Sequence, residues 1–494
     1  MTVKKYDTLL KNIRLVRPHG GKPTETDIAI SNGRFAAISP NLASSDAITT
    51  VDGLGRLAFP GLVDAHMHTG IYSPLDQDAV SESRAAAMGG VTTSINYMRS
   101  GKYYLNRGGS YLTFFPEVLR LSEGRFYVDY AYHLAPMDAQ QIDEIPQLIS
   151  DFGVTSFKIF MFYGGHGLHG RSADQKDFLM IGKDEKYDLA HFEFVMRGVR
   201  RAMDAYPEIA RNISLSLHCE TAEIMTAYTK IVETEKKLSG LEAYSASRPP
   251  HSEGLAIFIA SYLAHETDCV NINLLHLSGR KAMEAAIKMQ EVFPQIDFRR
   301  EVTIGHLLLD TDAPTGGYAK VNPPIRPRED VEYLWQSLLD GKVDWVVSDH
   351  ACCRQEVKLD RDRPEEIFLA KSGFGGTEYL LSGLISEGQK RGLPYSRIAE
   401  LVCLNPARRF GLYNKGDVAE GLDADLVLVD PDESFTVRAA DSESAQGYTP
   451  FEGMELRGRV KSTWLRGSEV WNGSHIQGPP KGIYLKRPQG HDAS

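Results

Sequence analysis

The stretch Pro60-Gly61-Leu62-Val63-Asp64-Ala65-His66-Met67-His68 runs from apolar residues straight into two histidines, a residue type that binds cations. Alternate residues of a strand share a face, so His66 and His68 can grip one metal from a single strand end. The same design recurs along the chain. Apolar runs at 56–63, 92–97, 127–132, 155–162, 213–217, 270–275, 302–307 and 344–348 are rich in Val, Ile, Leu and Phe. Such runs suit strands buried on both faces, as in a parallel sheet. Helix-period stretches follow, for example at 189–203, 252–264 and 280–293. Eight βα units in one chain predict an α/β fold, a (β/α)8 TIM barrel, with function at the C-terminal strand ends. The runs deliver Lys158, His218, His276 and Asp349 at or near such ends.

Outward from the barrel, the flanks read differently. Short alternating segments at 8–16 and 27–31, and others at 424–429 and 460–465, are broken by Gly, Pro and Asn. Two β segments bracketing a barrel can pair into one small discontinuous β-sandwich domain. The expected division is 1–58 and 413–474 for the two parts of that domain, 59–412 for the barrel, and 475–494 for an extended tail.

At 494 residues, a large domain plus a smaller one is the default. A net charge of −10 argues against nucleic acid as a partner. The basic groups at 197–201 and Arg299-Arg300 read as solvated helix faces. Five cysteines, with Cys352 and Cys353 adjacent and no Cys-x-x-Cys pair, fit a reducing cytoplasm better than a disulfide framework. No apolar segment has the length of a membrane span, and residues 1–7 lack the apolar core of a signal peptide.

Lys158 sits in Ser156-Phe157-Lys158-Ile159-Phe160-Met161-Phe162, and lysine is rarely buried without a partner. One reading is a lysine that snorkels to the barrel mouth or pairs with a carboxylate. The other is an amine kept neutral by desolvation and carboxylated by CO2, an anion able to bridge two cations. His218 and His276 each end an apolar run, as His66 and His68 do, and jointly they read as ligands. Asp349 is either a helix N-cap or the carboxylate that takes a proton from metal-activated water. His133, His251, His306 and His350 have less support as ligands. His166 and His169, in the Gly-rich stretch 164–170, fit a lid or a plain surface loop.

These residues resemble the amidohydrolase superfamily, and more narrowly its cyclic amidohydrolases: dihydropyrimidinase, hydantoinase, allantoinase and dihydroorotase. The opening motif 60–68 carries the resemblance, as do Ser156–Met161 with Tyr163, and Ser247-Arg248-Pro249-Pro250 with Glu253. Asn405-Pro406-Ala407-Arg408 and 421–426 extend it, so that it covers about residues 5–470. The resemblance implies two divalent ions, zinc first: one held by His66, His68 and Asp349, the other by His218 and His276, with carboxylated Lys158 between them. It implies a hydroxide shared by the two metals that attacks a ring amide carbonyl. Tyr163 then hydrogen-bonds the oxyanion, Asn322 contacts the substrate, and Asp349 moves the proton. The implied partner is a small cyclic amide, and the implied assembly a homotetramer or homodimer.

Within the family the signals diverge. Asn322 and Ser372 depart from the hydantoinase pattern, and Asn322-Pro323-Pro324 is similar to dihydroorotase. The arginine that dihydroorotase carries after its His-x-His is missing from Thr69-Gly70-Ile71-Tyr72-Ser73. Without it the carboxylate of dihydroorotate loses its charge-assisted contact. Arg99, Lys102 and Arg107 are the cations that follow the second run. The hydantoinase–dihydropyrimidinase branch is therefore expected first, then allantoinase, then dihydroorotase. The rival from outside enzymology is a non-catalytic scaffold of the same fold.

Overall fold

The computed structural model describes residues 4–169 and 175–489. Eight parallel strands form the barrel: β6 (Leu62–Met67), β7 (Val91–Arg99), β8 (Asp129–Ala135), β9 (Ser156–Phe160), β10 (Ser214–His218), β11 (Asn271–Leu274), β12 (Asp297–Thr303) and β13 (Trp345–Val347). Neighbours pair in chain order. The ring meets at a parallel bridge between Met67 and His350, where the His68 N–H donates to the His350 carbonyl at 2.7 Å. The strands are almost wholly buried, as their apolar composition requires. Helices such as Leu189–Ala205, Pro250–Glu266 and Arg280–Val292 follow them as the 3.6-residue period predicts. Asp188 starts the first of these, its side chain accepting from the Ala190 and His191 N–H groups.

The second sheet draws on both chain ends: β1 (Tyr6–Leu15), β2 (Thr24–Ser31), β3 (Arg34–Ser39), β4 (Ala47–Asp52) and β5 (Leu57–Pro60) from the N-terminal side, β14 (Leu426–Thr436), β15 (Glu455–Leu465) and β16 (Ser468–Trp471) from the other. β5 joins the halves, pairing parallel to β1 and antiparallel to β14. One face has its own apolar core, including Leu10, Ile13, Ile28, Phe35, Leu426 and Trp464. The run at 56–63 thus divides between two sheets, which its unbroken hydrophobicity concealed. Gly61 is the hinge: a Cβ there would strike Thr92 and Asp425, and its N–H donates to the Asp425 carbonyl at 2.8 Å.

Two other expectations need correction. The apolar run 302–307 is mostly not strand, because the chain turns at Thr303 into a short helix, Ile304–Leu308, capped by the Thr303 hydroxyl. The strand lies earlier, over the charged Asp297–Thr303. Arg299 and Arg300 are consequently on β12 and not on a helix face, and both bond Asp344. Beyond residue 474 the chain first pairs with β16 through Ile476 and Gln477, and residues 482–489 then run along the barrel base. Backbone hydrogen bonds tie Tyr130 to Ile483 and Leu485, and Arg487 to Gly153. Arg487 is buried there, donating to the Ser156 hydroxyl at 2.8 Å.

Among the described residues, no helix is long and apolar enough to cross a membrane. All five cysteines are free and buried.

Candidate metal centre

The strand registers bring the sequence-identified residues together. Lys158 stands opposite Ser216 and Phe160 opposite His218, while β6 and β13 meet beside His68 and Asp349. His66 Nε2 lies 3.1 Å from Asp349 Oδ1, and His68 Nε2 lies 3.2 Å from the same oxygen. Lys158 Nζ is 3.2 Å from His66 Nε2. The His276 ring lies tilted 5.5 Å from that of His66 and edge-on 4.3 Å from that of His218. All six residues are buried. They share a half-open pocket with Tyr104, Phe160, Phe162, Tyr163, Asn322 and Ser372, although His66 lies just below its surface.

The donor set fits a divalent cation. His66, His68 and Asp349 form a compact ligating group. Neighbouring ligands in a tetrahedral shell with bonds near 2.1 Å stand about 3.4 Å apart, close to these separations. His276 Nδ1 is buried with no hydrogen-bond partner among the described residues, a cost that a bound cation removes. Imidazoles with a carboxylate suit a zinc-like ion better than a hard oxygen-seeking one.

A surrounding layer fixes each ligand, and most of it escaped the sequence analysis. Glu301, at 0% exposure, accepts from His66 Nδ1 at 2.7 Å, from the His276 backbone N–H at 3.2 Å and from Trp345 Nε1 at 2.9 Å. That bond puts the His66 proton on Nδ1 and leaves Nε2 free to ligate. His218 Nε2 bonds Glu220 at 2.7 Å, and Arg248 grips the same carboxylate at 2.7 and 2.8 Å. His218 is thereby left its Nδ1. The His68 Nδ1 meets the Tyr104 hydroxyl at 2.6 Å. The Arg248 and Glu253 of the motif are both supporting residues, and Glu253 pairs with Arg326 at 2.7 Å.

Burial sets the electrostatics. It drives the imidazoles of His66, His68, His218 and His276 below the ordinary histidine value, so they stand neutral and able to ligate. It also pulls Lys158 down, against the nearby carboxylates of Asp349 and Glu301. Burial alone would raise Asp349, but the His66 and His68 rings hold it ionised, below the usual carboxylate range. Two ligands sit on left-handed backbone, His276 at φ 34° and Asp349 at φ 54°. Non-glycine residues hold this conformation where their surroundings enforce it, often at functional sites.

The other predicted residues fall as follows. Tyr163 lies on the turn Met161–Gly164 directly after β9 and is buried in the pocket wall. Asn322 precedes a cis peptide to Pro323; its side chain accepts from the Tyr244 hydroxyl at 2.5 Å and donates to the Leu168 carbonyl at 2.9 Å. Its amide is thus occupied by the pocket wall. His133 is a core residue stacked on Tyr97, and His306 supports the Pro323 carbonyl at 3.1 Å. His350 pairs with Glu82 at 2.7 Å, and His251 is exposed. His169 accepts from the Ser372 N–H at 3.1 Å, while Leu168 lines the pocket, so this stretch packs over the site; Gly170 and residues 171–174 lie outside the described residues. Lys102 pairs with Asp177 and Arg107 with Glu117, and neither lines the pocket.

With this geometry in place, comparison with known proteins gives a consistent answer. Residues 191–470 match the family model described as the amidohydrolase family. An allantoinase of Rubrobacter xylanophilus is 31% identical over 491 residues, covering 98% of both chains. An allantoinase of Salmonella newport is 28% identical, covering 98% of this chain and 99% of its own. Among solved structures, the L-hydantoinase (dihydropyrimidinase) of Arthrobacter aurescens superposes with a TM-score of 0.83 at 28% identity, covering 98% of this chain and all of its own.

Proposed function

The chain belongs to the amidohydrolase family, among its cyclic amidohydrolases, and from that premise we propose that it opens a neutral cyclic ureide at a two-metal centre. The carrying observation is the convergence of Lys158, His66, His68 and Asp349, with His218 and His276 adjoining. His66, His68 and Asp349 would hold one cation and His218 with His276 the second. Zinc is the first choice, and Lys158, once carboxylated, would supply an anionic ligand between them. Cations bound there supply acidified water and carbonyl polarisation.

The protein's own groups do the rest. Burial pulls the Lys158 amine down to about 7, which raises the share of the neutral form that bonds CO2. Asp349 accepts the proton of the attacking water and returns it to the ring nitrogen as the amide C–N bond breaks. Tyr163 donates to the carbonyl oxygen as charge develops on it. Asn322 and the rings of Phe160 and Phe162 shape the wall against which the ring lies. The product is a ring-opened acid.

The pocket favours a neutral ring. Lys158 is the only Lys or Arg among the described residues that line it, and Arg99 stands behind the rings of Tyr104 and Tyr163. Among the described residues, dihydroorotate would find no free cation for its carboxylate. Hydantoins and dihydropyrimidines fit, and the full-length relatives bring forward allantoin, itself a hydantoin bearing a ureido group. The complete ligand set argues against a catalytically silent scaffold.

The proposal extends to a cytoplasmic homodimer or homotetramer. Leu255, Phe258 and Tyr262 are exposed along one face of the helix Pro250–Glu266, apolar surface that a second copy would cover.

The test is ring opening by the metal-loaded protein on dihydrouracil, hydantoin, allantoin and dihydroorotate side by side. Turnover of one or more of the first three, with dihydroorotate inert, is expected. Activity confined to dihydroorotate would overturn the neutral-substrate reading, and no turnover with two metals bound would overturn the cyclic ureide reading.

A further inference from the structure

Arg99 ends β7 and is fully buried, yet it makes no ion pair among the described residues. One guanidinium nitrogen donates to the Ser100 carbonyl at 2.9 Å, while Nε and Nη2 meet no hydrogen-bond partner among the described residues. Three aromatic rings enclose it instead. Its guanidinium carbon lies 5.2 Å from the centroid of Tyr104, 5.1 Å from Tyr163 and 4.7 Å from Phe178. A buried cation without a carboxylate is costly, so an aromatic cage around one calls for an explanation.

The cage is joined to the site on two sides. The Tyr104 hydroxyl reaches His68 Nδ1 at 2.6 Å, and Tyr163 lines the pocket beside the ligands. Burial raises the Tyr163 phenol's pKa, and the positive charge of the guanidinium facing its ring opposes that rise. The third ring comes from the helix Gln175–Leu179, whose Phe178 carbonyl accepts the Lys102 N–H at 3.0 Å. A positive charge beside a phenol favours loss of its proton and so makes its hydroxyl a better donor.

We propose that Arg99 is a positioning residue that acts through Tyr163, aiming its phenol into the pocket and strengthening its hydrogen bond to the oxygen that turns negative as the ring opens. This rests on the reading of Tyr163 as the oxyanion donor. Among the described residues, Arg99 is the cation whose guanidinium faces the Tyr163 ring, and it is fully buried and does not line the pocket itself.

A double-mutant cycle in the metal-loaded full chain tests the proposal, with Arg99→Met and Arg99→Lys each made alone and with Tyr163→Phe. Arg99→Met should lower kcat by about 10–100-fold, the scale of weakening one oxyanion donor, with KM changed by less than about threefold. Arg99→Lys should recover much of the loss. In the Tyr163→Phe background, Arg99→Met should cost less than about twofold, because the two act as a unit. Equal losses in both backgrounds, or no loss, would overturn the proposal and leave Arg99 a packing residue. If no cyclic amide is turned over, the functional reading fails separately and the Tyr163 phenol decides. Its ring-carbon NMR titration in the metal-free chain, assigned with Tyr163→Phe, should move to higher pH in Arg99→Met and back in Arg99→Lys. An unchanged titration overturns the proposal. Should Arg99→Met fail to fold, Arg99→Gln, uncharged but still a donor, replaces it in both measurements.

Discussion

Asp349 shows how much one side chain is asked to do here. Its carboxylate meets both His66 and His68, is held ionised by them, and faces the pocket where a ring amide would lie. Asp349→Ala should reduce turnover by about 10³-fold or more while circular dichroism and the melting profile keep their native form. Substantial residual activity would remove Asp349 from the proton path. Glu301 acts one step back. Replacing it with Gln leaves the size unchanged but offers His66 an ambiguous partner, so metal affinity should fall about 10–100-fold in a chelator titration. An unchanged affinity would mean that Glu301 only fills space.

The buried imidazoles also set an acid limit. His66, His133, His218, His276 and His306 are all driven down by burial, His218 and His306 to about 4. In the unfolded chain each titrates near the ordinary value, about 6.5. Below that pH the unfolded state binds more protons than the folded state. Stability is therefore complete above about pH 7 and is lost as pH falls towards 4, by up to about 1.4 kcal/mol per pH unit for each histidine. His350, raised despite burial by its partner Glu82, and the carboxyls of Glu301 and Asp78, raised by burial to about 8 and about 7, have the opposite sign and offset part of this loss. Urea unfolding of the metal-free chain should show a lower midpoint at about pH 5.5 than at about pH 7.5. A higher midpoint in acid would contradict this.

At the scale of elements, the barrel seam carries the strain of the site. Asp64 on β6 accepts from the Ser348 N–H at 3.1 Å, from the Ser348 hydroxyl at 2.5 Å and from the Thr377 hydroxyl at 2.8 Å. Ser348 in turn receives the His350 N–H at 3.0 Å, so left-handed Asp349 is clamped on both sides. Asp64→Ala should cost about 2–4 kcal/mol in denaturant unfolding and weaken the first metal with it, since several buried donors lose their acceptor. A loss of metal affinity without a loss of stability would place Asp64 in the site itself.

Elements that bury apolar residues on both faces were legible from sequence, as were the candidate ligands near their ends: His66, His68, Lys158, His218, His276 and Asp349 all converge. What was not legible is long-range pairing. Glu301 sits in Arg299-Arg300-Glu301, a charged run that looks solvated until β12 turns the Glu inwards and the arginines towards Asp344. The apolar run after it misleads because Thr303 caps a helix. Glu220 and Tyr104 likewise acquire their roles only through residues distant in sequence.

For the whole molecule, two devices hold the barrel to its surroundings. Lys415 is buried among Asp129, Asp423 and Asp425 at 2.8, 3.1 and 2.7 Å, linking β8 to the return into the second sheet. The C-terminal stretch closes the base, where Leu485 joins a cluster with Val63, Ile95, Trp345 and Phe410. Leu485→Ala should destabilise by about 2–5 kcal/mol with kcat nearly unchanged. A loss of activity at unaltered stability would tie the base to the chemistry. The central claim concerns the other end of the barrel, where we propose that six side chains hold two metals. It is tested most directly by the zinc content per chain after reconstitution with zinc and bicarbonate, wild type against Lys158→Ala. Two ions in the wild type, and fewer than two in the variant with ring opening abolished, is the predicted result. One ion or none in the wild type, or two retained by the variant, would contradict the account.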